Sequence, residues 1–392
     1  MKNIIKRSLC GIAAASMAVS LVACGNAGEL QGGSSGDGEK ASVVQRINVG
    51  INVVDANERQ TSGEGKQALN SARSSVVEIT AVITSQSQTQ SNIGSGVVIN
   101  SAKVIGEDAD PEEVPETVSY IVTCYHLVKS ATEITVKDIF GNEYRAKPIG
   151  ADDRTDICVL SVGEELYGAT FLTGEDLLEV GEDVFAIGNP LGTLGGTVTK
   201  GIISAVNRDL LVGGVTLDLY QTDATVNAGS AGGGLFTEDG YFVGLLNDEY
   251  MKEYSSVSGL SFVTPSETVK DISTKLMETY SGDTLGFIEG RYYLGCKVAN
   301  RYTNVWQTSS YVVINSLDSA GSFYKGGLRV GDQIVSVEFN GVETAVTNAD
   351  KFLEYIDSLS LSVGDRLKFN VKRNDHSYIY QVEILQYICG AE

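Results

Sequence analysis

Residues 221 to 235 read QTDATVNAGSAGGGL. Glycines at 229, 232, 233 and 234 let backbone N–H groups turn toward a ligand with no Cβ in the way, which is how an oxyanion hole is assembled. In the middle of them stands the methyl group of Ala231. Acyl transfer by a hydrolase of this kind needs a nucleophile, a base within hydrogen-bond reach and a carboxylate that orients the base. The chain has only two histidines, so the search for the base is short. His376 falls in RNDHSY, which reads as an exposed hairpin turn, and is expected to be simply polar. His126 closes the strand-like run YIVTCYH, and thirty residues later Asp156 opens the apolar run DICVL.

Elements able to hold such groups are legible around them. From Val76 to about Pro265 the chain is a series of short β-rich runs separated by turn residues, among them SSVVEITAVI, SGVVIN, DICVLSV, EDVFAIGNP, TVTKGIISAV and YFVGLLN. Many strands at this spacing, with no helical period between them, predict an all-β barrel or sandwich, and the length allows two barrels side by side. The insert VIGEDADPEEVPET is acidic and proline-bearing and reads as an exposed loop. After Pro265, SETVKDISTKLMETY places Val269, Ile272, Leu276 and Met277 on one helical face, with Ser266 as the expected N-cap. Residues 292–392 predict a separate β/α unit with its own core.

In order, YIVTCYHLV, TDICVL, VGEDVFAIGNPLG, TVTKGIISA, QTDATVNAGSAGGGL and GLSFVTP resemble the trypsin-like proteases of the HtrA/Deg family. The resemblance implies a mainly β fold, a chymotrypsin/trypsin-like double β-barrel over residues 71–280. It continues through YLGC and GGLRVGDQIVSVEFNG, which resemble a PDZ domain over residues 292–392. His126 then falls on the base, Asp156 on the orienting carboxylate and Ala231 on the nucleophile position. Gly229, Ser230 and Ala231 form the oxyanion turn, with the N–H groups of Gly229 and Ala231 as its donors, which do not depend on a side chain. The family usually has Pro where Ala228 and Gly234 stand and Asn where Ser230 stands. Three origins of Ala231 stay open: a natural loss of the nucleophile, an alanine introduced to trap substrate, and a nucleophile relocated to Ser230. The first implies a peptide-binding protease homologue, the other two a serine endopeptidase. In the PDZ-like unit, Tyr293, Leu294, Gly295 and Cys296 match the loop that offers N–H groups to a peptide's terminal carboxylate, with Cys296 facing the last side chain. The expected partners are unfolded or exported proteins and peptide C-termini, and trimers are usual in the resembled family.

Composition bounds the rest. A net charge of −21 argues against nucleic acid, whose phosphates need a Lys/Arg excess. Residues 1–24 carry Lys2, Lys6 and Arg7 ahead of an apolar, small-residue run, the pattern of an export signal. It ends Leu21-Val22-Ala23-Cys24, which resembles the bacterial lipobox and implies a lipid on Cys24, a membrane anchor and an extracytoplasmic location. The Gly/Ser/Glu-rich residues 25–70 read as a flexible tether. With Cys10 in the signal and Cys24 on lipid, four of the six cysteines remain, at 124, 158, 296 and 389. They lack metal-ligand spacing, so neither a metal nor another cofactor is expected. Cys124 and Cys158 read as two small buried apolar residues, with a disulfide between them as the alternative. Cys24→Ser is expected to leave the protein unprocessed or released, because the sulfur that accepts the lipid is gone; membrane fractionation and the mass of the N-terminal peptide check this.

Overall fold

The structure, a computed structural model, describes residues 50–58, 65–85, 88–104, 116–174, 178–212, 215–250, 259–282, 284–302 and 310–389. The export signal with Cys24, most of the tether and residues 105–115 of the acidic insert lie outside the described residues. Two pieces read as tether do hold structure. Strand β1 (Val53–Asp55) runs parallel to β8 (Phe171–Thr173), more than a hundred residues away, and helix α1 (Gly65–Ser74) leads into the first barrel. Val53 and Val54 thus find a long-range partner in Phe171 and Leu172.

The first barrel is built from β2 (Val76–Ser85), β3 (Gln88–Val104), β4 (Glu116–Cys124), β5 (Glu133–Lys137), β6 (Glu143–Asp152) and β7 (Ile157–Val162). They close in the ring β2-β3-β4-β7-β6-β5, every pair antiparallel. Helix α2 (Tyr125–Val128), a single turn, follows β4 directly. Ile79, Val97, Ile121, Val122, Val159 and Leu160, on the two faces of these strands, belong to its core and have no solvent exposure. The run ICVLSV of β7 is apolar on both faces because one face lines this interior and the other is covered from outside. The cover is helix α3 (Ser266–Thr279), whose Val269, Ile272, Leu276 and Met277 join the same core, as their helical spacing predicts. Ser266 does not cap it. The residue before the helix is Pro265, and Ser266 Oγ donates to the Leu172 carbonyl at 2.6 Å, fastening the helix to strand β8.

That second barrel comprises β9 (Asp183–Gly188), β10 (Thr197–Val212), β11 (Val215–Thr222), β12 (Gly234–Thr237), β13 (Phe242–Asn247) and β14 (Ser261–Pro265). The order β13-β12-β9-β10-β11-β14 closes because β14 also pairs with β13. Two six-stranded antiparallel barrels therefore stand side by side, as the trypsin-like double barrel requires.

Residues 292–389 form a further unit with its own core. Strands β15 (Cys296–Tyr302), β16 (Ser310–Leu317), β17 (Gln333–Phe339), β19 (Arg366–Arg373) and β20 (His376–Glu383) lie in that spatial order, and β18 (Val342–Ala345) pairs with β17. A short helix α4 (Ser322–Lys325) and a longer α5 (Ala349–Ser358) complete it; Asn348 caps α5 by accepting from the N–H of Asp350 at 2.8 Å. His376 follows a two-residue hairpin turn in which Asn374 and Asp375 both have positive φ, at 51° and 62°. It is exposed, as the sequence predicts.

Three rings hold the second barrel's edge. Phe242, fully buried, packs at 4.4 Å between ring centres on Phe171 and at 5.7 Å on Phe236. Phe242→Ala is expected to cost about 3–5 kcal/mol of stability, through lost burial and the cavity left behind. Urea denaturation followed by fluorescence checks it, and Phe242→Leu should recover a large part.

Candidate active site

The site sits where the two barrels meet, and Asp156 is its centre. The turn between β6 and β7 places this residue at φ 55°, a left-handed conformation that aspartate adopts more readily than most side chains. Asp152 Oδ2 accepts from Thr155 Oγ1 at 2.6 Å and so fixes the turn. Asp156 Oδ1 accepts from the N–H of His126 at 2.7 Å, and Oδ2 lies 2.5 Å from His126 Nδ1. From the second barrel, Asn247 Nδ2 donates to the same Oδ2 at 2.9 Å. The carbonyl of Asp156 accepts from the N–H of Tyr125 at 2.9 Å, so backbone and side chain both hold the turn α2 on which His126 rides.

The oxyanion turn is fastened across the barrels by Ser95 of β3. Its N–H donates to the Ala231 carbonyl at 2.8 Å, its Oγ to the Gly229 carbonyl at 2.9 Å, and the same Oγ accepts from the N–H of Asn189 at 2.8 Å. Gly229 has φ 90°, and a Cβ there would come within 2.5 Å of the Asn189 carbonyl oxygen. Among the described residues the N–H groups of Gly229 and Ala231 donate to no backbone carbonyl, which leaves both available to an oxyanion. Ser230 departs from the expected set: its N–H donates to the Asn227 carbonyl at 2.9 Å, and its side chain is buried against Gly188.

The other nitrogen of His126 has a neighbour that sequence reasoning did not find. Nε2 lies 3.3 Å from Oδ1 of Asp248, just past the end of β13. The segment 247–250 is anchored on both sides of that carboxylate, by Asn247 on Asp156 and by the Tyr250 hydroxyl, which donates to the Thr155 carbonyl at 2.9 Å. The imidazole is thus held between two carboxylates. Burial by itself would lower its pKa, but the hydrogen bonds to Asp156 and Asp248 and their charges outweigh burial and raise it to about 9.

Residues 94–245 match the family described as "Trypsin-like peptidase domain", and over that stretch the chain is similar to it. Its curated relatives include "Serine protease Do-like HtrA" of Bacillus subtilis, 30% identical over 77% of this chain and 65% of the relative. Another is "Probable periplasmic serine endoprotease DegP-like" of Bartonella henselae, 36% identical over 56% of this chain and 42% of the relative. A solved structure, "HtrA-type protease AlgW with tripeptide", aligns at 24% identity with a TM-score of 0.48, over 82% of this chain and 97% of that one. The chain spans less than two thirds of the length of the curated relatives quoted. These relatives support the resemblance to the HtrA family.

His126 and Asp156 come together, and the turn 229–231 is held to the first barrel through Ser95. The residues 293–296 lie in the C-terminal unit, and Cys24 lies outside the described residues. Cys124 and Cys158 are both buried free thiols, consistent with their reading as small apolar residues. The C-terminal unit and the segment before it reach the first barrel close to the site: Arg291 pairs with Asp152, and the Tyr387 hydroxyl donates to Asp153 at 3.3 Å. A cavity of about 390 Å³ lies between them, with His126, Tyr125, Tyr293 and Tyr387 in its walls.

Because the folded-state pKa of His126 lies above its ordinary value of 6.5, its ion pairs contribute stability that is fully present below about pH 6.5 and lost as the pH rises through about 9. The contribution is on the order of 3 kcal/mol. Chemical denaturation of the unsubstituted chain and of His126→Ala from about pH 6 to about pH 10 is expected to show a stability gap that closes as the pH rises.

Proposed function

We propose that this chain is a non-proteolytic protein of the HtrA type, lipid-anchored through Cys24 on the extracytoplasmic face of the membrane, that binds unfolded or exported polypeptides without cutting them. The observation that carries the reading is the buried methyl group of Ala231 at the nucleophile position, together with a His126 whose Nε2 faces the carboxylate of Asp248. A methyl group offers no proton to abstract and no atom to acylate, so the triad chemistry has no first step. Ser230 does not supply that step in this reading, since its side chain is buried against Gly188. Names of relatives that include "periplasmic" support the location, and an anchor by lipid fits the finding that no helix among the described residues is long and apolar enough to cross a membrane.

Binding is assigned to the C-terminal unit, read as a PDZ domain. Its loop 293–296 is pinned through its carbonyls: those of Tyr293, Leu294 and Gly295 accept from the N–H groups of Ser322, Phe323 and Asp318 at 2.9, 3.1 and 2.8 Å. The N–H groups of Leu294 and Gly295 donate to no described backbone carbonyl. Gly295, with φ 68°, approaches Gly321 so closely that a Cβ would stand 2.6 Å from its Cα. Such a loop suits a peptide's terminal carboxylate. Strand β15 continues from it, pairs with β16 alone among the described strands, and leaves an edge on which an extended peptide can add, beside Cys296.

The test uses the full chain and two forms of one extended peptide with an apolar last residue. The free acid is expected to bind at least roughly tenfold tighter than the C-terminal amide, given the worth of charge-assisted hydrogen bonds. Casein is expected to remain uncut over the same period, and a fluorophosphonate to leave the chain unlabelled. Cleavage or labelling of the unsubstituted chain overturns the reading.

A further inference from the structure

The geometry points to Asp248 as a second lock on the site: by facing Nε2 of His126 it occupies the nitrogen that would have to take a proton, so the loss of the serine hydroxyl is not the only defect. This inference rests on the non-proteolytic reading and deepens it. A general base acts through an unprotonated nitrogen aimed at the hydroxyl it serves. Here Nδ1 lies 2.5 Å from Asp156 and Nε2 lies 3.3 Å from Asp248, so each carboxylate favours a proton on the nitrogen it faces, and the ring with both protons is the form the pocket stabilises. The raised pKa of the ring agrees with that placement.

The position of Asp248 is built, not incidental. It follows Asn247, whose amide is spent on Asp156, and the Asn247 Oδ1 accepts from the N–H of Glu249 at 2.8 Å, which curls the chain so that residue 248 turns toward the ring. Tyr250, buried, closes the curl on Thr155. Other ionisable groups around the ring are Cys124 at the end of β4, Lys129 after α2, Asp153 and Arg154 before Asp156, and Glu249. Among the described residues, only Asp156 and Asp248 are paired with the ring itself.

Two measurements test the assignment. The first needs no serine. Since the chain has only two histidines, proton NMR titration of the ring resonances resolves them, with His376→Ala as the assignment control. Asp248→Asn is expected to lower the pKa of His126 by one unit or more and to leave His376 unmoved; an unmoved His126 overturns the proposal. The second compares fluorophosphonate labelling of Ala231→Ser with that of Ala231→Ser/Asp248→Asn across pH. In the labelling step the introduced oxygen bonds to phosphorus, fluoride leaves, and His126 Nε2 takes the hydroxyl proton. The double variant is expected to label at least about tenfold faster at neutral pH, and Ala231→Ser alone to catch up only as the pH approaches the ring's own pKa. Adding His126→Ala should abolish both.

Equal labelling of the single and double variants at neutral pH overturns the lock while leaving the reading of the unsubstituted chain intact. Silence of both variants at every pH also overturns it, because the turn and not Asp248 would then withhold the activity. Labelling of the unsubstituted chain is the separate outcome that sinks the non-proteolytic reading.

Discussion

The carboxylate of Asp156 is the joint on which the site hangs. One oxygen holds the backbone of His126, and the other holds both the imidazole and the amide of Asn247. Those partners belong to different barrels, so a single buried side chain sets the distance between the two halves of the domain at the point where chemistry would occur. Desolvating a carboxylate is costly unless its oxygens are hydrogen-bonded, and three donors satisfy this one. Its left-handed backbone is kept in place by the turn that Asp152 and Thr155 fix, and Asp152 is in turn paired with Arg291 of the C-terminal segment. The geometry of the ring is therefore coupled, through Asp156 and Asp152, to the docking of the unit that follows.

Much of this was legible in the sequence because it depends on period and order. Period-two apolar runs separated by turns give barrels whichever residues fill them, and the helix after Pro265 shows its buried stripe directly in Val269, Ile272, Leu276 and Met277. His126 and Asp156 could be picked out because the chain has so few histidines and because the motifs around them come in a fixed order. What the sequence hid depends on where a chain lands in space. β1 pairs across more than a hundred residues, which no local pattern encodes. Ser266 has the right type for an N-cap, yet its hydroxyl finds a better acceptor in the Leu172 carbonyl of a neighbouring strand.

Asp248 was hidden for a related reason. It sits in NDEY, an acidic tail after an apolar strand, and such a tail ordinarily reads as a solvated turn. Only the closure of the second barrel, with β14 returning to β13, brings that turn over His126 from the opposite side to Asp156. A spacing of more than a hundred residues from the histidine carries no signal in one chain. The clue that was available is chemical: where a nucleophile is absent, the nitrogen it would have faced needs another partner, and an acidic residue on the adjoining strand end is a candidate.

The oxyanion turn raises the converse question, of why its shape persists around a methyl group. Gly229 cannot carry a Cβ because the Asn189 carbonyl stands 2.5 Å from where it would lie, and a Cβ at Gly232 would run into the Ser95 carbonyl. Both glycines also hold positive φ. Ser95 binds the turn's carbonyls to the first barrel and orients Asn189 with the same hydroxyl. These are requirements of barrel packing, and they would hold if no substrate ever bound. That the N–H groups of Gly229 and Ala231 donate to no described backbone carbonyl goes with that packing and by itself says nothing about turnover. The atoms that only chemistry demands are a hydroxyl at residue 231 and a free Nε2 on His126, and at both places the chain has something else: a methyl group buried in the core, and a carboxylate across the ring. The outline of this turn is thus kept by packing, whichever side chain stands at residue 231.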